Sequence, residues 1–197
     1  MSELKEIRAK YDDTNITVYQ AYSPAITEEA VKLGTFVPPF KLSRMTWIKP
    51  SFLWMMYRSD WGRNPGQERI LAIEISREGF EWALAHSCLS QYEPEIYESQ
   101  EEWEQRKKES TVRIQWDPER TIKLEKLDNR TIQIGLSGEA VYRYVNDWIK
   151  AIKDITDISR EIERLVCAGN LLAAQSMLPR EVCYPLSDHL KKLIGAS

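Results

Sequence analysis

The sequence predicts an α+β fold, a mixed or antiparallel sheet core followed by a helical C-terminal extension. Three observations predict it. Runs rich in Ile, Val, Thr and aromatic residues alternate at 16–22, 69–76, 111–116 and from Thr131 onward, as strands do. Between them lie segments with apolar residues at helical spacing, closed by Gly or Pro. Beyond residue 156 only the helical period persists, so 1–156 reads as the α+β core domain and 157–197 as a helical cap packed on it.

The first strand, 16–22, follows a turn marked by Asp12, Asp13 and Asn15. Ser23-Pro24 supplies an N-cap and a proline at the first helical position, and Gly34 stops the helix 25–33. Pro38-Pro39 stiffens the next connection. Pro50 suits the first turn of a short helix that reaches Trp61, after which G-R-N-P-G is turn chemistry. A strand at 69–76 leads to a helix at 79–89 that packs through Phe80, Ala83, Leu84 and Cys88. The acidic stretch 91–109 reads as a solvated helix or loop. The strand 111–116 ends in a turn at Asp117-Pro118, 122–127 continues the sheet, and D-N-R makes another turn. The next strand carries Gln133. Ser137 then caps a helix with Val141, Tyr144, Val145, Trp148 and Ile152 on its apolar face. The last helices run up to Gly169, from Leu171 to a stop before Pro179, and from the Ser187 cap to Ile194.

Composition excludes several function classes. With 43% hydrophobic and 29% charged residues, 197 residues can bury a core without staples. No apolar run of about 18 residues and no basic-then-apolar leader predicts a membrane or export role, so the expected compartment is the cytoplasm. Cys88, Cys167 and Cys183 are odd in number and far apart, and His86 and His189 are the only histidines. Neither a disulfide framework nor a metal site is expected from them. The G-L-S-G loop lacks the glycine spacing of a phosphate-cradling loop.

One stretch reverses the charge balance. The chain has a formal net charge of −3, yet from Ala30 to Ser59 it holds five Lys or Arg and no Asp or Glu. Arg44 to Trp61 also holds three of the seven tryptophans, interleaved with Arg44, Lys49 and Arg58. Cations beside aromatic rings are the pattern that an anionic nucleotide or a nucleic acid would require. On a helix, Ser51, Trp54, Arg58 and Trp61 share one stripe and Phe52, Met55 and Met56 another. The second stripe is assigned to the core; the first is offered to a cleft. Arg44, Thr46, Trp47 and Lys49, ahead of the helix, are further ligand candidates. An aromatic helix whose cations merely snorkel to solvent would show the same composition.

The motifs I-R-A-K-Y-D-D-T-N-I-T-V-Y-Q-A-Y, R-M-T-W-I-K-P-S-F-L-W-M-M-Y-R-S, V-R-I-Q-W-D-P-E-R and I-Q-I-G-L-S-G-E-A-V resemble a widespread uncharacterised bacterial and fungal domain family across nearly the whole chain. A more distant likeness bears on function. V-Y-Q-A-Y-S-P-A-I-T-E-E-A-V-K-L-G is similar to the first strand and following helix of ADP-ribosyltransferase-like domains, where a Tyr-His strand leads into a small-residue helix ending in glycine. The resemblance implies a sheet core of that type, NAD as cofactor, and an acid or glutamine on a later strand at the sugar centre. Tyr19 and Gln20 match the first motif with Gln in place of His, and Gln133 or Glu139 stands nearest to the last. The implied function is NAD-dependent transfer of ADP-ribose to a nucleic-acid or protein target. Gln133 lacks the full charge that would best stabilise an oxocarbenium ion. The alternative is a non-catalytic nucleotide or nucleic-acid binding module in which the tryptophans stack bases.

Overall fold

The computed structural model describes residues 4–197; residues 1–3 of the expected first domain lie outside them. The chain begins β1 (Arg8–Ala9), β2 (Asn15–Tyr22), α1 (Pro24–Leu33), β3 (Thr46–Ile48), α2 (Phe52–Ser59), β4 (Arg69–Ser76), α3 (Arg77–Ala85) and β5 (Ser87–Leu89). It continues α4 (Gln100–Glu109), β6 (Val112–Arg120), β7 (Lys126–Leu136), α5 (Gly138–Arg143), a π-helical turn (Tyr144–Trp148) and β8 (Ile149–Asp154). Helices α6 (Thr156–Cys167) and α7 (Leu171–Met177), the short β9 (Val182–Cys183) and α8 (Asp188–Ile194) complete it.

The fold is α+β, with antiparallel and mixed sheets. One sheet is antiparallel with order β2-β4-β8; the other has order β3-β7-β6-β5, where β5 runs parallel to β6. A small ribbon pairs β1 with β9, so the C-terminal segment returns to the start of the chain. One core gathers inward residues of both sheets, among them Val18, Ile73, Ile114 and Ile134. A second, with Tyr19, Phe52, Met56, Ile70 and Ile162, lies on the other face of β2 and β4 and is covered by α2, α6 and α7. Alternation along β2 produces this division, because successive side chains point to opposite faces.

Several elements differ from the sequence expectation. Cys88 and Leu89 leave the helix and form β5. β6 does not turn at Asp117-Pro118 but runs on to Arg120, with a register shift at its end. Pro118 is tolerated because β5 pairs only with 112–114, which leaves the other edge of β6 unpaired there. Residues 122–125 lie outside the strands, and Asp128-Asn129-Arg130 is strand within β7 rather than a turn. The helix after Ser137 breaks at the π-helical turn, and Ile149–Asp154 becomes the edge strand β8. Trp148 at the end of that turn fits against Gly79, where a Cβ would lie 2.3 Å from the indole. Pro50 lies one residue ahead of the N-cap rather than in the first turn of α2; Ser51 is the cap, its hydroxyl accepting the Trp54 amide at 3.1 Å.

Candidate functional site

The two larger sheets meet at β2 and β3. The Tyr19 amide donates to the Lys49 carbonyl at 2.7 Å, an isolated bridge joining one sheet to the other. Beside this junction opens a cavity of about 380 Å³, with Gln20, Thr46, Trp47, Lys49, Arg58 and Gln133 in its lining. A second cavity of about 480 Å³ holds Arg44 and Lys41 and shares Ala21, Tyr22, Met45, Thr46 and Gln67 with the first. The two form one elongated cleft.

Gln20 anchors the floor. The two N–H groups of its carboxamide Nε2 are shared among Thr46 Oγ1 at 2.7 Å, the Trp47 carbonyl at 3.1 Å and Tyr22 Oη at 3.0 Å, and its Oε1 accepts from Tyr144 at 2.7 Å. Every polar atom of that amide is occupied, so Gln20 shapes the site through Thr46 and Trp47. Tyr22 and Thr46 share a hydrogen bond at 2.5 Å, and burial pushes the Tyr22 hydroxyl up to about 12, which keeps it protonated.

Trp47 pairs with Gly135 in the β3–β7 register, and a Cβ at Gly135 would lie 3.0 Å from the indole. The glycine lets the ring lie close over β7. Lys49 is buried, with Nζ donating to the Trp47 carbonyl at 3.1 Å and sitting 5.6 Å from the centre of the Trp54 ring. Desolvation lowers its pKa to about 7; the positive charge of Arg58 adds to that shift, and the negative charge of Asp117 opposes it. Arg58 is exposed at the end of α2 and reaches Gln67 Oε1 at 3.4 Å.

Gln133 and Gln115 face one another in the β6–β7 register, and both line the cavity. The Asp117 carboxylate holds them as a pair, accepting from Gln133 Nε2 at 2.7 Å and Gln115 Nε2 at 3.0 Å. Neither glutamine Oε1 has a hydrogen-bond partner among the described residues, so both acceptors remain for a ligand. Sequence reading singled out Gln133 and missed Gln115, Asp117 and Gln67. The signal for two of them was present: in Q-W-D, Gln115 and Asp117 stand two apart on a strand and share a face.

Three candidates lie elsewhere. Tyr19 is on the opposite face of β2 from Gln20, buried in the second core with its ring edge-on to Phe52. Trp54 is buried under Lys49 and lines neither cavity of the cleft. Glu139 is exposed on α5, paired with Arg143 at 2.6 Å, and is absent from the cleft lining. The helix stripes also divide differently: Trp54 and Trp61 join the buried set, and Met55, assigned to the core, is buried yet lines the cavity beside Arg58.

A family model described as a domain of unknown function (DUF4291) matches residues 6–184. The chain belongs to that family. No curated protein matches it. The matched region takes in every residue of the cleft, while α8 follows it. Within this DUF4291 domain the cleft combines two exposed arginines, one buried amine, one half-buried indole and a carboxylate-braced pair of amides. That set can hold an anion at the arginines and accept hydrogen bonds from hydroxyl groups at the amides.

No helix among the described residues is long and apolar enough to cross a membrane. Nor do those residues contain a His, Cys, Asp and Glu cluster able to hold a metal ion.

Proposed function

We propose that the cleft binds NAD and that the protein is an ADP-ribosyltransferase-like enzyme acting on a nucleic-acid or protein target. One observation carries the reading: Gln20, Thr46, Trp47, Lys49, Arg58 and Gln133, spread over 113 positions of sequence, line a single cavity, with Arg44 in the adjoining one. Arg58 and Arg44 suit a pyrophosphate, and the half-buried Trp47 suits a flat ring. Cleaving the nicotinamide–ribose bond develops positive charge on the ribose. Gln133 answers it with a carboxamide oxygen whose partial negative charge grows because Asp117 accepts the amide hydrogen at 2.7 Å. Thus a glutamine backed by a carboxylate takes the place of a catalytic acid.

Titration calorimetry with NAD and with a non-hydrolysable analogue tests the binding half. Mass spectrometry of acceptors after incubation with NAD tests the transfer. Saturable binding of both ligands with an ADP-ribose mass increment on an acceptor is the expected outcome; no heat at millimolar NAD rejects the reading.

A second reading, a non-catalytic nucleotide or nucleic-acid binding module, is favoured by the position of Glu139 outside the cleft and by the lack of any Asp or Glu among the described lining residues. It predicts binding without turnover, and binding of single-stranded RNA or DNA that weakens steeply with salt.

A further inference from the structure

We propose that Lys49 is a carbonyl-reactive amine that condenses with the aldehyde of a phosphorylated sugar held in the cleft. The proposal shares the cleft with the function above but needs no NAD, and its test separates the two.

The placement of Lys49 is unusual for a lysine. Only 7% of its surface is exposed, and no carboxylate forms an ion pair with it among the described residues. The Trp47 carbonyl accepts one of its N–H groups, and the Trp54 ring lies 5.6 Å away. A ring contact of this kind offsets only part of what a lysine ammonium loses on leaving water without a carboxylate beside it. Arg58 adds like-charge repulsion. The balance favours the uncharged amine, in keeping with a pKa lowered to about 7. An uncharged lysine in a polar cavity is a nucleophile at neutral pH, as Schiff-base lysines are.

The surroundings fit a sugar phosphate. Arg58 and Arg44 have no carboxylate partner among the described residues, and each lines a part of the cleft. Gln115 and Gln133 leave two Oε1 acceptors for hydroxyl groups. The lysine backbone is fixed between the hydrogen bond from the Tyr19 amide and the ring of Pro50, so its stem is aimed rather than free. In the reaction the Lys49 nitrogen attacks the aldehyde carbon, a C–N bond forms, and the carbonyl electrons pass to oxygen, which takes a proton. Loss of that oxygen as water leaves the imine. One amine and one aldehyde give one imine and one water, and no oxidant or further reactant is consumed.

The test incubates the full chain with ribose 5-phosphate and sodium cyanoborohydride between pH 6 and pH 10, then reads the tryptic peptide spanning 45–58 by mass spectrometry. At pH 7 the free-base fraction of Lys49 exceeds that of an ordinary lysine by on the order of a thousandfold. We expect the Lys49 adduct to exceed that at any other lysine by at least about tenfold, after allowance for the weaker nucleophilicity of a low-pKa amine. Its yield should be half-maximal near pH 7. Arg58→Ala should remove the advantage of ribose 5-phosphate over unphosphorylated glycolaldehyde, and should lower glycolaldehyde trapping at Lys49 by less, because losing the Arg58 charge lets the Lys49 pKa rise. Labelling of Lys49 no stronger than that of surface lysines, or rising only toward pH 10, overturns the proposal and makes Lys49 a structural cation on Trp54. Failure of NAD to bind leaves the trapping result untouched, whereas loss of trapping leaves NAD binding untouched.

Discussion

Tyr144 donates to Gln20 Oε1 at 2.7 Å across 124 residues of sequence, and with this bond the π-helical turn fixes the floor of the cleft. Both residues are buried, at 0% and 2% exposure, so neither has water as a substitute partner. Burial and the charge of a neighbouring Tyr22 phenolate would both hold the Tyr144 hydroxyl far above its usual value, so it donates at every accessible pH. Tyr144→Phe leaves the Gln20 carbonyl oxygen unpaired in the core. The expected cost is about 1–3 kcal/mol in urea unfolding, with a further loss of ligand affinity as Gln20 re-orients and releases Thr46. A variant as stable as the parent would show that the network does not hold the site.

Gly135 sets how closely Trp47 approaches β7. A Cβ there would stand 2.7 Å from Met45 Sδ and 3.0 Å from the Trp47 indole, and both side chains line the cleft. Gly135→Ala must therefore move one or both. Trp47 is one of seven tryptophans, so the shift is best read by comparing ligand-induced fluorescence quenching in Gly135→Ala and Trp47→Phe. We expect Gly135→Ala to weaken ligand binding by about tenfold, or about 1.4 kcal/mol, with stability reduced by about 1–3 kcal/mol.

Much of the fold was legible in the sequence because its signals were local. The strand patterns at 16–22 and 69–76, the Pro24 start and Gly34 stop of α1, and the Ser187 cap each appear where expected. Two of the misreadings share one cause, in that short apolar runs fit two periods. Val141, Tyr144, Val145, Trp148 and Ile152 continue a helical face, yet the π-helical turn converts the last of them to strand. Cys88 and Leu89 likewise extend the α3 pattern but pair with β6. In the site, the basic-aromatic stretch did lead to the cleft. What it could not reveal was which ring faces in, since Trp47 and Trp54 differ only in their tertiary neighbours. Adjacent residues of one strand face opposite ways, so treating Tyr19-Gln20 as one motif obscured that only Gln20 lines the cleft.

Glu181 gives the protein an unusual pH response. Its carboxylate accepts the Phe52 amide at 2.8 Å at the start of α2, while Ser51 donates to Glu119 at 2.9 Å close by. Burial, then the negative charge of Glu119, raise Glu181 to about 8, against the lowering influence of the Phe52 amide and Arg8; Glu119 is raised in the same direction by burial. The folded chain therefore holds more protons than the unfolded chain between about pH 4.5 and pH 8. Stability from this group is complete below the unfolded value and is lost as pH rises through the folded value. Glu181→Gln keeps an oxygen for the Phe52 amide and removes the titration. Because the residue is only half-buried as a whole, we expect the variant to gain roughly 1–2 kcal/mol over the parent at pH 8 and little at pH 5. Equal pH profiles from urea unfolding would rule out this assignment.

Arg44 and Arg58 are both exposed, neither is ion-paired among the described residues, and each lines one part of the cleft. These features separate a ligand-binding role from a structural one. Removing an exposed cation that has no ion-pair partner should alter stability by no more than about 0.5 kcal/mol. Removing a phosphate contact made by a charged group costs about 1.5–3 kcal/mol of binding. Arg44→Ala and Arg58→Ala should thus each weaken an anionic nucleotide by about 10- to 100-fold with the thermal midpoint nearly unchanged. Calorimetry on the double variant provides a further distinction: losses that add place the two arginines on separate anionic groups, while a shared phosphate makes the second loss smaller than the first. A large fall in thermal midpoint for either variant would instead place that arginine in the framework of α2 and β3.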